Sequence, residues 1–90
     1  MQERRAFNRI NLKLELTFQD LTCAKKGKAE TLDISANGLC FITRELLPAK
    51  TPLEIWLVVP DHREPFHTKG EVVWSMPLTG TDKQRVGVRI

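Results

Sequence analysis

Strict alternation of apolar and polar residues near the start of the chain restricts its fold more than any other feature. Leu12, Leu14, Leu16 and Phe18 alternate with Lys, Glu and Thr. Successive side chains of a strand point to opposite faces, so this period of two predicts a half-buried β-strand rather than a helix. Similar short segments recur along the chain. Strands are predicted at residues 12–18, 32–34, 39–42, 53–59, 66–74 and 86–90.

Turn residues separate these segments. The stretch from Asp20 to Gly27 breaks the first pattern, a hairpin is predicted around Asn37-Gly38, and a loop is predicted from Met76 to Gln84. Six short strands with a turn at each junction favour an all-β fold, a small antiparallel barrel or sandwich. The helical candidates are short, at residues 3–9 and 43–47. A length of 90 residues predicts a single domain over 1–90.

Composition excludes several classes of protein. With 41% hydrophobic residues the chain is expected to fold, and a net charge of +3 permits an anionic partner without requiring one. The longest apolar run, Ile55 to Val59, is far too short to cross a membrane. No apolar segment follows the first residues, so a cytoplasmic location is predicted. Cys23 and Cys40 are accordingly predicted to be reduced thiols.

Residues that would carry catalysis or hold a metal are not arranged for either task. His62 and His67 are five positions apart, with no Cys or acidic residue at a zinc-binding spacing. Cys40 lies inside an apolar run, where a thiol is buried and inert. No glycine-rich turn for a nucleoside triphosphate is present. We therefore predict that the chain is not an enzyme and uses no metal or cofactor.

Three arginines close to the N-terminus, Arg4, Arg5 and Arg9, form the first candidate binding motif. A guanidinium is a planar fork that bonds phosphate or the O6/N7 edge of guanine through two hydrogen bonds, whereas lysine offers only a point charge. The cluster therefore favours a nucleotide-like ligand. A solvated basic tail ahead of the first strand is the alternative interpretation.

The second candidate motif is the segment from Asp33 to Gly38. Asp33 could accept N–H bonds from a guanine base, Ser35 could bond a phosphate or base atom, and Gly38 would let the backbone approach closely or turn with positive φ. The alternative is ordinary turn chemistry, because Asp, Ser, Asn and Gly are the residues that a tight turn uses.

Together these motifs resemble those of PilZ domains, which bind the bacterial second messenger cyclic di-GMP. Arg5-Ala-Phe-Asn-Arg9 resembles the family motif R-x-x-x-R, and Asp33-Ile-Ser-Ala-Asn-Gly38 resembles [D/N]-x-S-x-x-G. Gly70-Glu-Val-Val-Trp74 and Gly87-Val88 are similar to the family's G-x-V-x-W and closing G-[V/I] strands. The resemblance covers essentially the whole chain.

By this resemblance the fold is a six-stranded antiparallel barrel at 11–90, preceded by a ligand-binding arm at 1–10. Arg5 and Arg9 would contact guanine edges and phosphodiesters, and Arg4 would add stacking or a further phosphate contact. Asp33, Ser35 and Gly38 would wrap one guanine. Ordering of the arm by ligand would then signal to a downstream protein partner. The chain departs from many family members in ending at Ile90 without a helix after the last strand.

Two rival functions stay open: a PilZ-like interaction adaptor that binds no ligand, and a small β-barrel that binds single-stranded nucleic acid, which the aromatic residues fit poorly. Phe18, Phe41, Phe66 and Trp74 are predicted to lie in the core. Separately, Trp56, Val58 and Val73 point away from the predicted core. This second apolar surface leaves a homodimer open.

Overall fold

The computed structural model describes residues 13–90 as a closed barrel of six antiparallel strands, without a helix. Around the barrel the strands follow the order β1-β2-β3-β6-β5-β4, and β4 closes the ring by pairing with β1. The predicted all-β barrel is confirmed. The strands are β1 (Glu15–Asp20), β2 (Lys25–Ser35), β3 (Gly38–Thr43), β4 (Pro52–Leu57), β5 (Phe66–Pro77) and β6 (Gln84–Arg89).

The barrel interior is filled by apolar side chains from alternate positions of the strands. Phe18 of β1 and Phe41 of β3 stack at its centre, with ring centroids 5.6 Å apart. Both rings are fully buried, as the alternation predicts. The rest of the core cluster is Leu16, Leu39, Leu47, Leu53, Ile55, Leu57, Val72, Val86 and Val88.

Two β-bulges interrupt the alternation. In β2 the register shifts between Thr31 and Asp33, and in β5 it shifts between Val72 and Trp74. One extra residue in a strand moves every following side chain to the opposite face. Trp74, predicted to share the core face with Val72, is therefore turned outward, and its exposed fraction is 37%.

The strands are longer than the sequence pattern predicts. Lys25, Lys26 and Lys28, predicted to lie in a solvated loop, belong to β2 and are exposed, while Gly27 and Ala29 of the same strand are half-buried. Met76 and Pro77, predicted to begin a loop, extend β5. Small or polar residues on the inner face of these strand ends conceal the alternation, so the sequence pattern predicts strands that are too short.

Other predictions need correction or lie outside the described residues. Residues 43–47 form no helix, because Thr43 ends β3 and the buried Leu47 comes from an irregular connection. Phe66, predicted to lie in the core, is 55% exposed at the start of β5. The helical candidate at 3–9 and the first alternating residue, Leu12, lie outside the described residues. No helix in the described part of the chain is long and apolar enough to cross a membrane.

Substitutions of Phe41 and Phe66 compare a buried phenylalanine with an exposed one and so test the description of the core. We expect Phe41→Ala to lower the free energy of unfolding by about 3–5 kcal/mol, because it removes a fully buried ring and leaves a cavity. Phe66→Ala should cost less than about 1 kcal/mol, since that ring is mostly in solvent. Urea denaturation followed by fluorescence measures both. Equal losses in the two variants would contradict this description of the core.

Candidate functional site

The outer faces of four adjacent strands, β2, β3, β6 and β5, bring the candidate site together. In one row across them, Asp33 pairs with Cys40, Cys40 with Gly87, and Gly87 with Trp74. Asp33 and Trp74 each follow one of the two bulges. Without the bulges both side chains would point into the barrel, so the bulges place a carboxylate and an indole at the two ends of one outer row.

The next row along the same face carries the rest of the second motif. Ser35 pairs with Gly38, Gly38 with Arg89, and Arg89 with Glu71. The Arg89 guanidinium donates to a Glu71 carboxylate oxygen at 2.7 Å. Polar and charged groups thus flank the row that holds Asp33 and Trp74.

Between these rows the surface is concave and encloses a depression of about 280 Å³. Its floor is flat because the two central residues of the first row, Cys40 and Gly87, have small side chains or none. The depression is lined by residues of all four strands and of the turn that joins β2 and β3: Asp33, Ser35, Asn37, Gly38, Leu39, Cys40, Val73, Trp74, Arg85, Gly87, Val88 and Arg89.

Gly87 lets the indole of Trp74 lie directly on the backbone of β6. A Cβ atom added at Gly87 would overlap with Cε2 and Nε1 of that indole. Trp74 is held by this contact and still exposes part of its ring to solvent. An aromatic ring fixed at a surface in this way offers a face on which a planar base can stack.

Gly38 is needed for close packing of the backbone and not for a turn with positive φ. Its φ is not positive, but an added Cβ would overlap with the carbonyl oxygen of Val88. Of the two predicted roles, close backbone approach is therefore the one that applies. The turn itself comprises Ala36 and Asn37, one residue earlier than predicted, and Ser35 Oγ donates to the Gly38 carbonyl at 3.2 Å.

Charge in the depression is mixed, with an excess of cations. Arg85 and Arg89 supply two guanidiniums and Asp33 one carboxylate. The Arg89 side chain is 67% exposed despite its ion pair with Glu71. A ligand that combines negative charge with hydrogen-bond donors on a planar ring matches this set of groups.

Other parts of the described surface are less suited to such a ligand. A larger cavity of about 500 Å³ lies beside β1 and the first half of β2, where Glu15 and Glu30 offset its cations. Val58 lines that cavity, whereas Val73 lines the depression. These two residues of the apolar surface predicted for a dimer therefore lie in different concave regions. Trp56 stacks on His67 at a centroid distance of 5.3 Å. Among residues 13–90, no three His, Cys, Asp or Glu side chains are grouped to hold a metal.

The structure thus brings three predicted site residues, Asp33, Ser35 and Gly38, into one depression. The predicted ligand-binding arginines Arg4, Arg5 and Arg9 lie outside the described residues. The sequence pattern failed to predict Trp74 as a lining residue because the bulge in β5 cannot be read from alternation. A detectable signal for Arg85 and Arg89 was present in β6, where Arg85, Gly87 and Arg89 alternate with Val86 and Val88.

Comparison with known proteins agrees with this architecture. The family model for the PilZ domain matches residues 3–90. The chain belongs to the PilZ domain family. The inhibitor of motility MotI/DgrA of Bacillus subtilis has a similar solved structure, with a TM-score of 0.74 and 14% sequence identity. That match covers 91% of this chain and 40% of the other, so this PilZ domain spans less than half of its neighbour. No curated protein matches the chain.

A substitution at Gly87 tests whether the indole of Trp74 rests on the floor of the depression. Gly87→Ala should move Trp74 away from β6, because the added methyl group occupies the position of the ring. In a Trp56→Phe background, which leaves Trp74 as the only tryptophan, we expect the native fluorescence maximum to shift to longer wavelength.

Gly38→Ala in the same background is the matched control. Its methyl group meets the Val88 carbonyl instead of the indole. It should lower the melting temperature and leave the native emission maximum in place. Identical native spectra for Gly87→Ala and its parent would show that Trp74 does not rest on Gly87.

Proposed function

We propose that this PilZ domain is a receptor for cyclic di-GMP that converts ligand binding into a change of conformation or interaction. The observation that carries the proposal is the meeting of Asp33, Ser35 and Gly38 in one depression with an exposed tryptophan ring and two guanidiniums. Family membership supports it independently, because the resemblance of both motifs implies this ligand.

The groups in the depression match the chemistry of the ligand. Cyclic di-GMP presents two guanines, each with N–H donors and an O6/N7 acceptor edge, and two phosphodiester charges. Asp33 would accept N–H bonds from one guanine, and the Trp74 ring would stack on a base. Arg5 and Arg9 would supply the planar forks that fit O6/N7 and phosphate. Arg4 would add stacking or a further phosphate contact.

In this proposal, binding transmits a signal because the arm and the barrel hold the same ligand. Residues 1–10 would become fixed against the face formed by β2, β3, β6 and β5, which creates a composite surface for a protein partner. A cytoplasmic location is part of the proposal. It suits the exposed free thiol of Cys23, because exposed thiols persist in a reducing compartment.

Loss of either motif arginine tests the receptor function. Arg5→Ala and Arg9→Ala should each weaken binding of cyclic di-GMP by at least about tenfold, since a good bidentate contact contributes about 1–3 kcal/mol. Titration calorimetry with cyclic di-GMP, GTP, linear pGpG and cyclic di-AMP measures affinity, specificity and stoichiometry.

Arg63→Ala is the control, because Arg63 lies in the exposed connection between β4 and β5, away from the depression. It should bind as the unmodified chain does. Unchanged affinity in both motif variants would refute the assigned roles. Absence of binding by the unmodified chain would favour the ligand-independent adaptor.

Hydrogen exchange tests the coupling to the arm. Amide exchange at residues 4–10 should slow when cyclic di-GMP is added, because a backbone held against the ligand is shielded from solvent. Leu53 and Ile55, in the core on β4, provide the internal control and should exchange at the same rate with and without ligand. Exchange at residues 4–10 that does not respond to saturating ligand would exclude the proposed coupling.

A further inference from the structure

Strand β6 carries two arginines on the face that lines the depression. Arg85 and Arg89 alternate with the buried Val86 and Val88, so both point outward on either side of Gly87. Four residues of extended chain place their Cα atoms about 13 Å apart. Both side chains line the depression that holds the second motif.

Arg89 lies beside that motif and is oriented. Its neighbour on β3 is Gly38, which has no side chain. On the other side the Glu71 carboxylate accepts a hydrogen bond from one terminal nitrogen at 2.7 Å. A guanidinium has five N–H donors, so this contact leaves others to bind an anion in the depression.

Arg85 occupies the opposite end of the same face in an apolar setting. Its neighbours across the ladder are Ile42 of β3 and Met76 of β5. Within residues 13–90 no carboxylate forms an ion pair with it, whereas Arg44 and Arg89 each have one. Arg85 therefore lines the depression without an ion-pair partner among residues 13–90.

We propose that Arg85 and Arg89 bind the phosphate groups of the ligand from the barrel side, as a second arginine pair opposite the one in the arm. This inference rests on the proposed function and deepens it. The ligand is an anion with two phosphodiesters, and Trp74 between the two arginines provides the apolar surface for its base. The barrel therefore holds a phosphate-binding element that does not depend on the arm.

Charge removal on β6 tests this assignment. Arg85→Ala and Arg89→Ala should each weaken binding of cyclic di-GMP by about tenfold in titration calorimetry. Arg85→Lys should recover most of that loss, because a phosphate accepts a point charge whereas a guanine edge requires the fork. Arg44→Ala is the matched control: Arg44 is exposed and is ion-paired with Asp82, as Arg89 is with Glu71, but it lies outside the depression. It should bind normally.

The outcomes separate this inference from the receptor function itself. Binding that is lost in Arg5→Ala but unchanged in Arg85→Ala and Arg89→Ala overturns the role of β6 and leaves the receptor in place. A loss in Arg85→Ala that Arg85→Lys does not recover overturns the phosphate assignment. An equal loss of affinity in Arg44→Ala would show that the effect comes from net charge alone. That result would overturn the proposed site. No binding by the unmodified chain overturns both proposals.

Discussion

Two β-bulges determine what the barrel presents on its outer surface. Each adds a single residue, one in β2 before Asp33 and one in β5 before Trp74. Because side chains alternate along a strand, each addition reverses the direction of the residues that follow. The carboxylate and the indole consequently lie at the two ends of one outer row, while Ile34 packs against the core and Val72 belongs to it. A barrel of regular strands would turn both groups inward and would not form this candidate site.

The small residues between these two side chains are equally necessary. Gly87 leaves room for the indole, and Gly38 lets β3 approach the Val88 carbonyl. Both glycines act by the absence of a side chain, which accounts for a shallow and flat depression. Beneath it, the stacked rings of Phe18 and Phe41 and the surrounding aliphatic side chains form a closed core. The candidate site is thus built on paired strands, which hold side chains in position better than a loop does.

Much of this architecture can be predicted from the sequence. Alternation in β1 and β4 identifies strands with one buried face, and both motifs can be recognised by their spacing. The prediction fails where alternation is broken or hidden. The bulge in β5 turns Trp74 from its expected core position to the surface, and Gly27 and Ala29 conceal the start of β2. Register between distant strands, which places Arg89 beside Gly38, follows from tertiary pairing and cannot be read locally.

We propose that cyclic di-GMP binds on the outer face of β2, β3, β6 and β5. Backbone amide chemical shifts recorded by NMR during a titration test it most directly. We expect the largest changes at Asp33, Gly38, Trp74 and Gly87, with Thr17 and Glu54 on the opposite outer face of the barrel unchanged. Changes confined to β1 and β4, or no changes at saturating ligand, would contradict the account.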